Sequence, residues 1–141
     1  MDDLHAAMRT LGFKPKHMTS IFSLLVTILL LGNLQFGEAD RTDVSAHISN
    51  PPVLDHVACL LGISPEDLTQ TLTNKTSYVR KDIYMSLLNA EQSAAQRDYL
   101  VRDLYAILFA FIVETANHKI APSLKDPAPP TQIILLDQSG F

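Results

Sequence analysis

One stretch, residues 89–120, constrains everything else this chain can fold into. "NAEQ" opens it, with Asn89 suited to cap a helix and Gln92, three residues on, suited to answer that cap. The stretch runs to about Ile120, and its second half, "LVRDLYAILFAFIVETA", is apolar on nearly all sides. That composition belongs to a helix packed on several faces. Roughly thirty helical residues span about 45 Å, whereas a globule of this size has a radius of gyration of about 14 Å. A rod of that length protrudes, and its apolar end lacks cover. The close of the chain, "TQIILLDQSGF", raises the same difficulty. "QIILL" is an unbroken β-branched run, the pattern of a strand buried on both faces, and few other segments offer it neighbours. The expectation is an incomplete body: mainly α with a few short strands, one long helix and one terminal core strand, shaped to lie against a larger domain.

Composition excludes several classes. Apolar residues make up 47% and charged residues 18%, which is globular rather than disordered or fibrous. A net charge of −4, with no basic cluster beyond "VRK" at 79–81, argues against nucleic acid as a partner. The lone Cys59 cannot form an internal disulfide, and in "LDHVACLLG" it reads as a small core residue of a helix. Histidines at 5, 17, 47, 56 and 118 show no metal-ligand spacing. Asn74-Lys75-Thr76 matches the glycosylation sequon, but no secretory signal precedes it. "IFSLLVTILLLG", residues 21–32, holds an apolar run of about eleven residues where a membrane span needs about 20, so a buried core helix is expected there.

The remaining segments read as short elements. "DDLHAAMRTLG" has apolar residues spaced three and four apart and a closing glycine. The next helix opens at Pro15, tolerated in a first turn, and stops at Gly32-Asn33, where a left-handed cap is expected. "LQF" is short and extended. Residues 37–52 read as a polar surface connection. "VLDHVACLLG" is a short helix closed by glycine. "SPEDLTQTLT" follows with Ser64 as cap, Pro65 at the first position and Asp67 in place of the usual capping-box glutamate. "SYVRKDIYM" reads as a hairpin or extended loop, and "APSLKDPAPPTQ" as a proline-rich loop. The stripe Leu100, Leu104, Leu108, Phe111 and Thr115 is expected in the core, Arg97 and Asp98 form a local ion pair, and Glu114 is left open between solvent and a partner.

A buried strand that delivers D-x-x-G at its carboxyl end suits a nucleotide hydrolase. The turn then sits in the crevice beyond the strand ends, where phosphates lie. The acid, Asp137, can hold Mg²⁺ through water, and the Gly140 amide can reach a γ-phosphate because no Cβ blocks approach. Loss of that phosphate relaxes the turn, which makes it a switch. Two fixed residues in four also fit an ordinary strand-ending turn.

Longer motifs weigh on that choice. "LGFKPKHMTSIFSLLVTILLLGNLQF" resembles the myosin motor pattern in which an "LGF" turn precedes a helix ending in "ILHLGNIEF". "LLGISPEDLTQTLTNKT" is similar to "LLGVDPEELEKALTxRT", and "EQSAAQRDYLVRDLYAILFAFIVETAN" to "EQAxxARDALAKALYxRLFDWLVxxIN". "IILLDQSGF" stands in the place of "IGVLDIYGFE", the second switch of the motor, with Gln138-Ser139 as a departure. Order and spacing agree from about Leu4 to Phe141. The variations, with "NPPVLDHVACLLG" and "NKTSYVRK", look like the divergent motor domain of fungal chitin synthases.

The resemblance implies that residues 1–141 form a partial motor domain, from the upper actin-binding half through the second switch, without the Walker loop and first switch. Asp137 takes the acid's role near Mg²⁺, Gly140 that of the γ-phosphate amide, and Phe141 packs behind the switch. Arg80, Lys81 and Asp82 lie on an actin-facing loop. Asp82 stands sixteen positions before the aspartate matching Asp98, where the family places an acid or a phosphorylatable residue. ATP and Mg²⁺ belong to the full-length parent, and this segment alone is expected to bind neither and to catalyse nothing. Its partners are actin filaments and the rest of the motor in cis, with no membrane contact of its own. The parent is implied to be a membrane-embedded glycosyltransferase of the fungal cell wall, adding N-acetylglucosamine from a UDP-sugar to chitin. Its motor lies on the cytoplasmic side, at plasma membrane, septa or secretory vesicles. A myosin without a synthase and a free-standing helical interaction module are the alternatives.

Overall fold

The computed structural model describes residues 2–38, 45–80, 82–121 and 133–134. Five helices and two small antiparallel pairs make up these residues. They run in the order α1 (Asp2–Thr10), α2 (Pro15–Gly32), β1 (Phe36–Gly37), β2 (His47–Ile48), α3 (Pro51–Leu61), α4 (Pro65–Thr73), β3 (Asn74–Val79), β4 (Asp82–Leu87) and α5 (Ala90–Ile120). β1 pairs with β2, and β3 with β4. The mainly α expectation holds.

End signals explain most helix boundaries. At α5 the capping box is complete: Asn89 Oδ1 accepts from the Gln92 amide at 2.8 Å, and Gln92 Oε1 accepts from the Asn89 amide at 3.2 Å. At α4 only one arm forms, the Asp67 amide donating to Ser64 Oγ at 3.0 Å, because an aspartate is a methylene short of the return reach. α3 ends on Gly62 at φ +69, with the Ile63 amide reaching back to the Ala58 carbonyl at 3.1 Å. That closure needs a left-handed residue. A Cβ at Gly62 would meet nothing within 4 Å, so Gly62→Ala is a test of backbone strain alone. It is expected to lower stability by about 1 kcal/mol, read as a shifted denaturation midpoint.

α2 closes differently from the expectation. Asn33 is right-handed, at φ −89 and ψ −5, and the last turn tightens through bonds from the Asn33 and Leu34 amides to the carbonyls of Leu30 and Leu31. The tightened turn drives Leu34 into the interior, where it is buried. Residues 37–52 also differ from the surface connection expected. They contain β2, and Ala46 and Ile48 are buried where the strand lies on the core.

Two apolar clusters sit along α2 and α5. Leu31, Leu34, Ile48, Leu54, Val57, Leu68 and Leu72 form the first, with Leu100 and Leu104 against it. Met8, Phe13, Met18, Ile21 and Leu108 form the second, with Ile112 against it. The expected stripe on α5 is therefore core at Leu100, Leu104 and Leu108. Phe111 is exposed and touches Phe13 edge to face, with centroids 6.4 Å apart. Thr115 is half-buried and Glu114 faces solvent.

Cys59 is exposed, against the expectation of a core residue. α3 buries Leu54, Val57 and Ala58, spaced three and four apart, which turns the next residue outward. Among the described residues α2 is the one helix long and apolar enough, by length and composition, to cross a membrane. It serves both clusters through Met18, Ile21 and Leu31, so the core-helix expectation holds for one face. Ile133 and Ile134 belong to no strand and are exposed. The rest of the expected terminal strand lies outside the described residues.

Candidate functional site

The β3–β4 hairpin projects one amphipathic ribbon from the body of the fold. Its register pairs Asn74 with Leu87, Thr76 with Met85, Tyr78 with Ile83, and the closing Val79 with Asp82. Paired residues share a face and the faces alternate along each strand. Tyr78, Ile83, Met85 and Leu87 therefore line one side, and Lys75, Ser77, Tyr84 and Ser86 the other. The first side is open to solvent, Tyr78 being 77% exposed and Met85 65%. Contiguous exposed apolar surface of this kind marks an interaction site.

Arg80 stands at the tip, directly after the end of β3. It adopts φ +55, the left-handed conformation common in tight hairpin turns. Asp82 is exposed beside it. Of the three residues assigned to an actin-facing loop, Arg80 and Asp82 thus stand at the hairpin tip, and Lys81 lies outside the described residues. Asp137, Gly140 and Phe141, assigned to the nucleotide switch, also lie outside them.

The root of the hairpin is tied on three sides. The Leu88 amide donates to the Thr73 carbonyl at 2.9 Å, and the Ala46 amide to the Leu88 carbonyl at 2.9 Å. Gln96 Nε2 donates to the carbonyls of Thr71 and Asn74. Glu38 Oε1 accepts from the Ala90 amide at 3.2 Å, at the start of α5, where a carboxylate also suits the helix dipole. Arg97 completes the joint. Its guanidinium donates to the Leu34 carbonyl at 2.7 Å, pairs with Asp98 at 2.7 Å and lies 5.8 Å from the centre of the Phe36 ring. The expected Arg97–Asp98 pair is present, but the long-range bond to Leu34 is the part that joins α5 to the turn between α2 and β1.

Sequence reasoning missed Gln96, Glu38 and the sidedness of the ribbon. Period-two alternation through "SYVRKDIYMSL" could have shown the last; the first two act across gaps that no local pattern reports. A second feature is an apolar groove of about 290 Å³ between α2 and α5, walled by Ile21, Leu24, Ile107, Leu108 and Phe111.

The profile of the myosin head (motor domain) family matches residues 1–141. Chitin synthase 8 of Mycosarcoma maydis is 41% identical over 141 residues, covering 99% of this chain and 7% of that protein. Chitin synthase 5 of Cryptococcus neoformans is 38% identical over 117 residues, covering 83% of the chain and 6% of that protein. Human unconventional myosin-XV is 34% identical over 140 residues, covering 98% of the chain and 4% of that protein. The chain thus spans less than a tenth of the length of these relatives.

Proposed function

The chain belongs to the myosin head (motor domain) family, and from that premise we propose that it is the part of a motor that presents the β3–β4 hairpin to actin filaments and leads into the second nucleotide switch. Residues 1–141 are then a partial motor domain whose Walker loop and first switch lie elsewhere in the polypeptide. The similarity to two fungal chitin synthases supports a parent that transfers N-acetylglucosamine from a UDP-sugar to chitin, with the motor moving or tethering the enzyme. The parent is membrane-embedded, at plasma membrane, septa or vesicles, and this segment stays on the cytoplasmic side without touching lipid or nucleic acid.

ATP and Mg²⁺ are cofactors of the whole motor in this reading. Among the described residues no three His, Cys, Asp or Glu side chains come together as a metal-binding group. By resemblance Asp137 and Gly140 meet Mg²⁺ and the γ-phosphate, with Phe141 packed behind.

The observation that carries the filament reading is the hairpin, an exposed apolar ribbon with an acid at its tip on a tied root. Exposed charges at the edge of an interface act mainly on encounter and salt dependence. Asp82→Lys in the intact motor is therefore expected to weaken filament binding about threefold to tenfold at low salt, an effect that fades as the Debye length shrinks below about 8 Å. Co-sedimentation with filamentous actin across a salt series measures it. Identical salt dependence for variant and wild type would remove Asp82 from the interface. A second reading, a myosin without a synthase, is favoured by the similarity to myosin-XV; sequencing the polypeptide beyond this segment separates the two.

A further inference from the structure

We propose that Gln96 is a positioning residue that fixes how the β3–β4 hairpin leaves the body of the fold, and so which surface it offers a filament. The proposal rests on the reading of the hairpin as filament-facing. α4 runs into β3 with no loop between them, Thr73 ending the helix and Asn74 starting the strand in an extended conformation. The chain direction therefore changes across one peptide unit. A helix end leaves carbonyls without partners, and the last turn of α4 carries no basic side chain to meet them. Gln96 Nε2 takes that place. It donates to the Thr71 carbonyl in the last turn of α4 and, at 2.9 Å, to the Asn74 carbonyl at the start of β3. One amide thus holds helix and strand at a fixed angle and ties both to α5.

The hairpin needs such a tie. A two-stranded ribbon is marginal by itself, and every described side chain of β4 is exposed, so its orientation depends on its root. Ser93, one turn earlier on α5 and fully buried, faces inward at the same end of the helix.

The test uses the intact motor that carries this segment and reads amide hydrogen exchange in peptides spanning residues 72–88. Gln96→Met keeps length and helix propensity but removes the donor. Gln96→Glu sets an acceptor against two acceptors, and Gln96→Lys keeps a donor. Loss of two hydrogen bonds is expected to speed exchange at the hairpin root about tenfold in the Met and Glu variants, with α2 and α3 unchanged. The Lys variant is expected to restore protection to within about threefold of wild type, since it keeps a donor. Filament co-sedimentation should weaken in the Met variant and recover in the Lys variant. A Met variant that exchanges like wild type overturns the tie itself. Faster exchange with unaltered filament affinity overturns the positioning role and leaves a structural tie. Failure of the wild-type motor to co-sediment would instead sink the filament reading, while the exchange comparison still decides whether Gln96 holds the hairpin.

Discussion

Leu31→Ala removes about 3 kcal/mol of stability, whereas Leu29→Ala, two residues away on the same helix, changes it by less than about 0.5 kcal/mol. Leu31 is 0% exposed and Leu29 70%. Leu31 sits where the end of α2 meets α3, α4 and β2, in the cluster that also holds Leu54, Val57, Leu68 and Leu72. Truncating it loses the transfer free energy of the side chain and leaves a cavity that four elements cannot close together. At Leu29 the side chain already stands in water, so little is lost. Urea denaturation followed by far-ultraviolet circular dichroism, at concentrations low enough to avoid association, reads the difference directly. With a slope of about 1–3 kcal/mol per molar urea, the Leu31 midpoint falls by roughly 1–3 M. Equal effects at the two positions would mean that α2 does not dock by the face described.

The contrast also shows which parts of the fold could be read from the sequence. Helix ends were legible because their signals are local. The Asn89–Gln92 box, the Ser64 cap and the Gly62 stop each depend on residues within four positions of one another, so the pattern carries its own physics. The hairpin was legible for the same reason. Side choice was not. Cys59 lies in an apolar helix and yet faces out, because the packing of α3 on α2 decides which residues are interior. β2 was hidden in a polar stretch, and its Ile48 takes its burial from α4 and from the strand pairing with Phe36-Gly37. Gly32-Asn33 carried a familiar stop signal, but the last turn of α2 tightens there with Asn33 right-handed and carries Leu34 into the interior. The candidate site divides in the same way. Its tip residues, Arg80 and Asp82, were found through resemblance. Its supports, Gln96 reaching Thr71 and Arg97 reaching Leu34, join residues 25 and 63 positions apart. No spacing rule encodes such bonds, because they exist only once the helices have packed.

The exposed half of α5 yields the last expected result. Tyr105 is 52% exposed and Phe109 59%, their rings stacked with centroids 6.5 Å apart, and Val113, one turn further on the same stripe, is also open. A soluble surface rarely keeps so continuous an apolar run unless something covers it. The 141-residue chain by itself should therefore bind an apolar dye and self-associate at micromolar concentration. Tyr105→Gln with Phe109→Gln should weaken that association at least about tenfold, since each large side chain withdrawn from an apolar contact is worth about 1.5–3 kcal/mol when fully buried. Neither residue belongs to the two clusters, so the midpoint of unfolding in the chain should stay within about 0.5 kcal/mol of wild type. In the intact motor the sign is expected to reverse. If the rest of the motor covers this face, two buried polar side chains without partners lower its stability by about 2 kcal/mol or more. Sedimentation velocity of the chain and thermal inactivation of the motor supply the two readings. A wild-type chain that stays monomeric and excludes the dye would show that water tolerates this face. The helix would then need no further partner, and the case for a larger motor would rest on the family match and the hairpin rather than on this face.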